Sequence, residues 1–301
     1  LHLPSRGVVT MMIFYYFIMF APFASVIGEL MHWSIERLIF IAWLAQVVFT
    51  PLIALPTDLV DNHFLLLALS TGAVGAVAFF ILTTTVMRTW HLSWSGLKPH
   101  WSGDFNWLIF AGLVVVDAIF TVLNTGEMPS LHRANWDFTL SAFEAAVMEE
   151  TLFRFAILGI LFYAWRNVKQ RLPLALATSS ILFGIVHLTN YGPQEWSMTV
   201  LQAVSAAGIG LFFATVYVYT GQLWLAMLMH FLLDWTAFIA SDSTLMTGKV
   251  TVQDWIGTGI ELVVFIGIAV WMMFGQRRQV MERHVNRLTG EHQRFDFMIQ
   301  Y

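Results

Sequence analysis

Residues 139–165 read "TLSAFEAAVMEETLFRFAILGILFYAW", an apolar stretch long enough to cross a lipid bilayer as a helix. Its middle nevertheless carries Glu149, Glu150 and Arg154. An ionisable group inside a bilayer costs about 2.5–3.5 kcal/mol on insertion scales, so such groups persist when they pair or line a functional cavity. The stretch therefore predicts either a membrane helix with functional buried charges or a helix end whose charges are solvated at the interface.

The rest of the chain favours the membrane interpretation. Of its 301 residues 58% are hydrophobic and 11% are charged, with a mean hydropathy of +0.69, whereas soluble domains are about 45–50% apolar and about 25% charged. Segments approaching the ~20 residues of a spanning helix lie at 8–27, 37–56, 64–87, 106–123, 139–165, 172–189, 198–219, 221–240 and 254–275. We predict an all-α, polytopic membrane helix bundle with about eight to nine transmembrane helices.

Composition also excludes several classes of function. The chain has no cysteine, which excludes disulfides, thiolate zinc sites, iron–sulfur clusters and a cysteine nucleophile. The net charge is only −4, and no basic patch with interleaved aromatic residues suggests nucleic acid as a partner. We therefore expect membrane lipids and a peptide or protein as partners, and no nucleic acid.

The motif "EETLFR" divides its charges between two helix faces. Glu150 and Arg154 are four residues apart, so they share a face and can neutralise each other. Glu149 points about 100° away from Glu150 on a 3.6-residue helix. It has no base nearby in the sequence. An unpaired carboxylate in an apolar cavity suits the role of a general base.

Two later motifs place histidines on other apolar segments. His187 lies near the end of one segment in "FGIVHLTN", where Asn190 could cap the helix. His230 and Asp234 share a face in "HFLLD", where the carboxylate could orient the imidazole. Taken singly, each motif also fits a packing hydrogen bond in the core. Further acids in the spans are expected to form hydrogen bonds between helices, namely Asp117, Glu144 and Glu261.

The ordered set "EETLFR", "FGIVHLTN" and "TGQLWLAMLMHFLLD" resembles the CAAX-protease and bacteriocin-processing (CPBP) family, also called the abortive-infection family. The resemblance covers roughly residues 140–240. It implies an intramembrane glutamate protease with an all-helical fold, in a bacterial cell membrane. Its substrate would be a hydrophobic peptide, either lipid-linked, such as a prenylated C-a-a-X protein, or bacteriocin-like.

The resemblance also implies roles for individual residues. Glu149 would activate the attacking water, His187 would hold that water, and His230 with Asp234 would lie on the oxyanion side. Supporting residues would be Glu150, Arg154 and Asn190. Asp234 stands where prenyl-processing members have Asn, so we expect it to orient His230 rather than to donate a hydrogen bond.

Two alternatives stay open at the level of sequence. Because Glu149, His187 and His230 are acceptable zinc ligands, a zinc metalloprotease competes with an enzyme that needs no cofactor. A non-catalytic immunity or peptide-binding protein could use the same residues.

The domain division follows from the motifs and the loop charges. We predict one membrane domain overall, with N-terminal transmembrane helices at 1–137, a CPBP-like catalytic core at 138–241, a last transmembrane helix at 242–276 and a polar tail at 277–301. Because arginine is enriched in cytoplasmic segments, the tail is predicted to be cytoplasmic.

Overall fold

The computed structural model describes residues 7, 11, 15, 20–53, 62–93, 105–125, 133–246 and 248–290. Every regular element within these ranges is a helix, and Tyr191 and Gln194 form only an isolated bridge. The predicted all-α fold class is therefore confirmed.

The helices before the three motifs are α1 (Phe20–Glu29), α2 (Ser34–Ile53), α3 (His63–Ser70), α4 (Ala73–Thr89) and α5 (Trp107–Thr125). The motif-bearing region, residues 136–241, holds α6 (Trp136–Glu150), a π-helix (Thr151–Ile157), α7 (Leu158–Ala164), α8 (Arg171–Val186), a 3₁₀ turn (His187–Asn190), α9 (Trp196–Thr220) and α10 (Leu223–Ser241). Two further helices follow, α11 (Val252–Met272) and α12 (Gly275–Leu288).

Five helices of the described chain are long and apolar enough to cross a membrane: α5, α8 with its 3₁₀ turn, α9, α10 and α11. The helices α3 and α4 would add a sixth span if they were taken together, but they meet at an angle of 60°. The predicted number of eight to nine transmembrane helices is therefore not confirmed.

Two of the predicted spans are missing from these five helices for different reasons. The segment 64–87 bends at Gly72, whose φ of +83° belongs to the left-handed region that favours glycine. The segment 139–165 is helical throughout, but Glu149, Glu150 and Arg154 in its middle keep it out of the long apolar helices. Parts of the predicted spans 8–27 and 37–56 lie outside the described residues.

Helix α9 forms the centre of the motif-bearing region. Its apolar stretch is 61% buried, a larger share than in the other four candidate spans. It packs against α8 and α11. A side chain at Gly184 of α8 would lie only 2.8 Å from Cβ of Ala207 on α9. Glycine therefore permits the close helix contact that small residues allow in membranes.

Helix α10 packs against α6 and brings the first and third motifs together. Helix α6 begins where Oδ1 of Asn135 accepts a hydrogen bond from the Phe138 amide at 2.8 Å. One turn later, Trp235 Nε1 of α10 donates to Thr139 Oγ1 at 3.1 Å. This contact fixes the two helices against each other near the N-terminus of α6, whereas Glu149 and Glu150 lie at its C-terminus.

Helix α12 is amphipathic and docks on the end of α9, outside the candidate spans. Its buried apolar side chains are Val280, Met281, Val285 and Leu288. His284 is also buried, and its Nδ1–H donates to the Val218 carbonyl of α9 at 2.9 Å. Arg171, at the start of α8, contacts Glu282 at 3.5 Å and hydrogen-bonds Asn286.

The buried His284 predicts that docking of α12 weakens in acid. Burial lowers the pKa of its imidazole to about 4, although the hydrogen bond to Val218 acts in the opposite direction. The undocked helix, with an ordinary pKa near 6.5, binds more protons below that pH. The contribution of His284 to the free energy of unfolding should therefore be constant above about pH 6.5 and fall by about 2 to 3 kcal/mol toward pH 4.5. The free energy of unfolding in detergent is measured across this pH range for the wild type and for His284→Gln, which cannot titrate at this position. Parallel plots of that free energy against pH for the two proteins contradict the prediction.

Candidate active site

The first motif lies where an α-helix gives way to a π-helix. Glu149 and Glu150 are the last residues of α6, and Arg154 lies within the π-helix that begins at Thr151. A π-helix widens the turn by one residue and occurs often at functional sites. The sequence predicted a regular helix here, since its residues carry no signal for the wider turn.

A buried ion pair forms the inner layer of the site. Arg154 Nε lies 3.1 Å from Glu150 Oε2, and both side chains are 0% exposed. The four-residue spacing predicted this contact. Glu150 also uses its second oxygen: Oε1 lies 2.9 Å from His230 Nδ1, on α10. Because the carboxylate accepts, Nδ1 carries a proton.

The outer layer of the site surrounds the other ring nitrogen of His230. Its Nε2 lies 3.4 Å from Asp234 Oδ2 and 3.8 Å from Glu149 Oε2. Both carboxylates are 24% exposed, whereas His230 is 6% exposed and Glu150 is fully buried. The more exposed side of the cluster is therefore that of Glu149 and Asp234.

His230 thus contacts all three carboxylates of the first and third motifs. Its expected partner was Asp234, but the shorter contact is to Glu150. Sequence reasoning paired Glu150 with Arg154 alone. The bond between Glu150 and His230 joins helices far apart in the chain, so no local spacing could have revealed it.

His187 lies at the start of the 3₁₀ turn, and its ring is held by a backbone carbonyl of the preceding helix, α8. Its Nδ1–H donates to the Phe183 carbonyl at 2.8 Å, which leaves Nε2 as an acceptor. His187 interacts electrostatically with Glu149. Asn190 does not cap the helix as expected; its Nδ2 donates to Gln202 Oε1 of α9 at 2.9 Å.

Aromatic rings enclose the polar cluster. The guanidinium carbon of Arg154 lies 4.3 Å from the Phe183 ring centre. The same ring meets the His187 imidazole edge to face at 4.8 Å and that of His230 at 6.0 Å. Phe213 of α9 covers another side of His230 at 5.5 Å. These apolar walls strengthen the electrostatic interactions inside the cluster.

Two of the three further acids lie nearer the cluster than expected. Asp117 of α5 and Glu144 of α6 both interact electrostatically with His230. Glu144 also interacts with Glu149 and Asp234. Their positions near the motifs could not be read from sequence, because they depend on helix packing. Glu261 instead accepts a hydrogen bond from Ser205 of α9 at 3.0 Å.

The alternative zinc ligand set of Glu149, His187 and His230 stays a prediction. In the described part of the chain, no three His, Cys, Asp or Glu side chains converge so that they could hold a metal ion. His230 has one ring nitrogen on Glu150, and its other nitrogen is 3.8 Å from Glu149. Two atoms bound tetrahedrally to one zinc ion at about 2.0–2.2 Å lie about 3.3–3.6 Å apart, so these two side chains would have to move slightly closer together to share the ion.

Comparison with known proteins finds one matching family model. The family described as type II CAAX prenyl endopeptidase, Rce1-like, matches residues 132–236. This part of the chain, about a third of its length, is similar to the CAAX-protease family. The predicted recognition is thereby confirmed. No curated protein and no solved structure matches the chain.

The family match, together with the apolar helices, identifies an integral membrane protein. The CAAX-family segment runs from just before α6 into α10 and therefore includes all three motifs. The family implies a protease, a hydrolase that acts on a peptide or protein substrate in the membrane.

Proposed function

We propose that the protein is an intramembrane endopeptidase in which Glu149 activates water to cleave a hydrophobic peptide. The supporting observation is the convergence of Glu149, His230 and Asp234 at one partly exposed point, next to a fully buried Glu150–Arg154 pair. The substrate would be a lipid-linked peptide, such as a prenylated one, or a bacteriocin-like peptide.

The proposed reaction is direct attack of water on the scissile carbonyl carbon. The Glu149 carboxylate accepts a proton as the new C–O bond forms. The C–N bond then breaks, and the leaving nitrogen takes that proton, so one water yields a carboxylic acid and an amine. In this scheme His187 positions the water, because its Nε2 is free to accept a hydrogen bond while Nδ1–H is held by Phe183.

His230 would stabilise the oxyanion of the tetrahedral intermediate. Its Nδ1–H points to Glu150, so only a protonated ring can donate a second hydrogen bond from Nε2. The negative charges of Glu150 and Asp234 favour that positively charged ring. This arrangement gives Asp234 an orienting role that needs no proton of its own. Loss of one oxyanion donor typically costs about 3–4 kcal/mol in the transition state.

Cleavage assays with a metal chelator test this proposal. The purified protein in liposomes should cleave a hydrophobic peptide equally well with and without EDTA or phenanthroline, because Glu149 rather than a metal activates the water. Each peptide is offered with and without a prenyl group, which distinguishes a lipid-linked from a bacteriocin-like substrate. Activity that disappears with the chelator and returns with zinc contradicts the proposed mechanism.

A further inference from the structure

The Phe183 ring joins polar groups from three different helices. It lies under the guanidinium of Arg154, against the imidazole of His187 and near that of His230. Its own backbone carbonyl accepts the Nδ1–H of His187. The side chain is 2% exposed. A movement of this ring therefore changes the surroundings of both histidines and of the arginine together.

Gly210 of α9 sets the place of that ring. A Cβ atom at this position would lie 2.9 Å from Cδ1 of Phe183, and 3.5 Å from Nη2 of Arg154. Ordinary carbon–carbon contacts are about 3.5–4.0 Å. Any side chain at 210 would thus displace the ring by about 0.5 Å or more, which is the tolerance of a preorganised site.

We propose that Gly210 is a positioning residue for the hydrolysis. Its lack of a side chain lets Phe183 pack closely against α9, and Phe183 in turn holds His187 and His230 at their working separation. The inference rests on the proposed function, but it concerns a helix that carries none of the candidate catalytic or supporting residues. Gly210 acts through Phe183 and does not touch the substrate.

The same helix provides a matched control at Gly208. A Cβ atom there would lie 2.8 Å from Cδ2 of Leu262 on α11, so Gly208→Ala introduces crowding of similar size. Residues two apart on a helix point to nearly opposite faces. Gly208→Ala therefore crowds the flexible end of a leucine away from the site, whereas Gly210→Ala crowds the ring within it.

The kinetic test compares both alanine variants in the full-length protein in liposomes. Gly210→Ala is expected to lower kcat for peptide cleavage about 10- to 100-fold with KM changed less than about threefold, because misplacement affects the chemical step. Gly208→Ala should stay within about twofold of the wild type. Adding Gly210→Ala to Phe183→Leu should cost nothing further, since the smaller side chain relieves the contact. Equal effects of the two alanines, or additive losses in the double variant, overturn the proposal.

A second measurement decides the question without any cleavage. Nitrogen-15 NMR of histidine-labelled protein reports the ring tautomer of His187, assigned with His187→Gln. The Nδ1-protonated signal should shift or divide in Gly210→Ala and stay unchanged in Gly208→Ala. An unchanged signal in both variants refutes the positioning role. If the wild type cleaves no peptide but the signal responds as expected, the proposed function fails, and only the placement of His187 by Gly210 through Phe183 stands.

Discussion

Glu149→Gln is expected to lower kcat for peptide cleavage by about 10³-fold or more, because it removes the general base without changing the shape of the side chain. The amide can still face His230 Nε2, which lies 3.8 Å from Glu149 Oε2 in the wild type. The substrate should therefore bind with little change in KM. Initial rates in liposomes over a range of peptide concentrations measure both constants.

Another intramembrane glutamate offers the matched control. Glu261 of α11 is partly buried and accepts a hydrogen bond from Ser205 at 3.0 Å, away from the motif cluster. In Glu261→Gln the amide oxygen still accepts that hydrogen bond, so the rate should stay within about twofold of the wild type. A Glu149→Gln protein that retains more than a tenth of the wild-type kcat would show that water is activated elsewhere.

Local spacing predicted the contacts within single helices. The positions of Glu150 and Arg154 are four apart, as are those of His230 and Asp234, and the structure brings both pairs into contact. The apolar segments also predicted the all-helical fold. These features follow from helix geometry and from the cost of burying charge, both of which a sequence displays directly.

Contacts between helices were beyond reach of the sequence. The hydrogen bond from His230 to Glu150 depends on how α10 packs on α6. The close contact of the Phe183 ring with Gly210 depends on the approach of α8 to α9. The number of spans was not confirmed for a different reason. Hydropathy does not reveal the bend at Gly72, because the bend leaves the apolar composition of its segment unchanged, and the charges of the first motif keep the helix around Glu150 out of the long apolar helices.

The site is best understood as two layers of charge with different surroundings. The inner layer, Glu150 and Arg154, is fully buried, while the outer layer, Glu149 and Asp234, is partly exposed. His230 lies between them with one ring nitrogen toward each. Under the proposed function, the inner layer holds the imidazole and the outer layer meets the water and the peptide.

That division predicts a large loss of stability when the inner pair is broken. Arg154→Met should destabilise the protein by about 3–5 kcal/mol, because it leaves the Glu150 carboxylate buried without its cation. Arg154→Met combined with Glu150→Gln should be less destabilised than the single variant, since the orphaned charge is gone. Unfolding in mixed detergent micelles measures the difference.

Arg166→Met is the control, because it removes an exposed arginine that has no buried carboxylate as its partner among the described residues. Arg166 follows α7, is exposed, and donates to the Tyr163 carbonyl at 3.0 Å while lying over its ring. Because that guanidinium is solvated, its removal should cost no more than about 1 kcal/mol. If the double variant at 150 and 154 is as unstable as Arg154→Met alone, the destabilisation comes from lost packing of the arginine over Phe183 and not from an unpaired carboxylate.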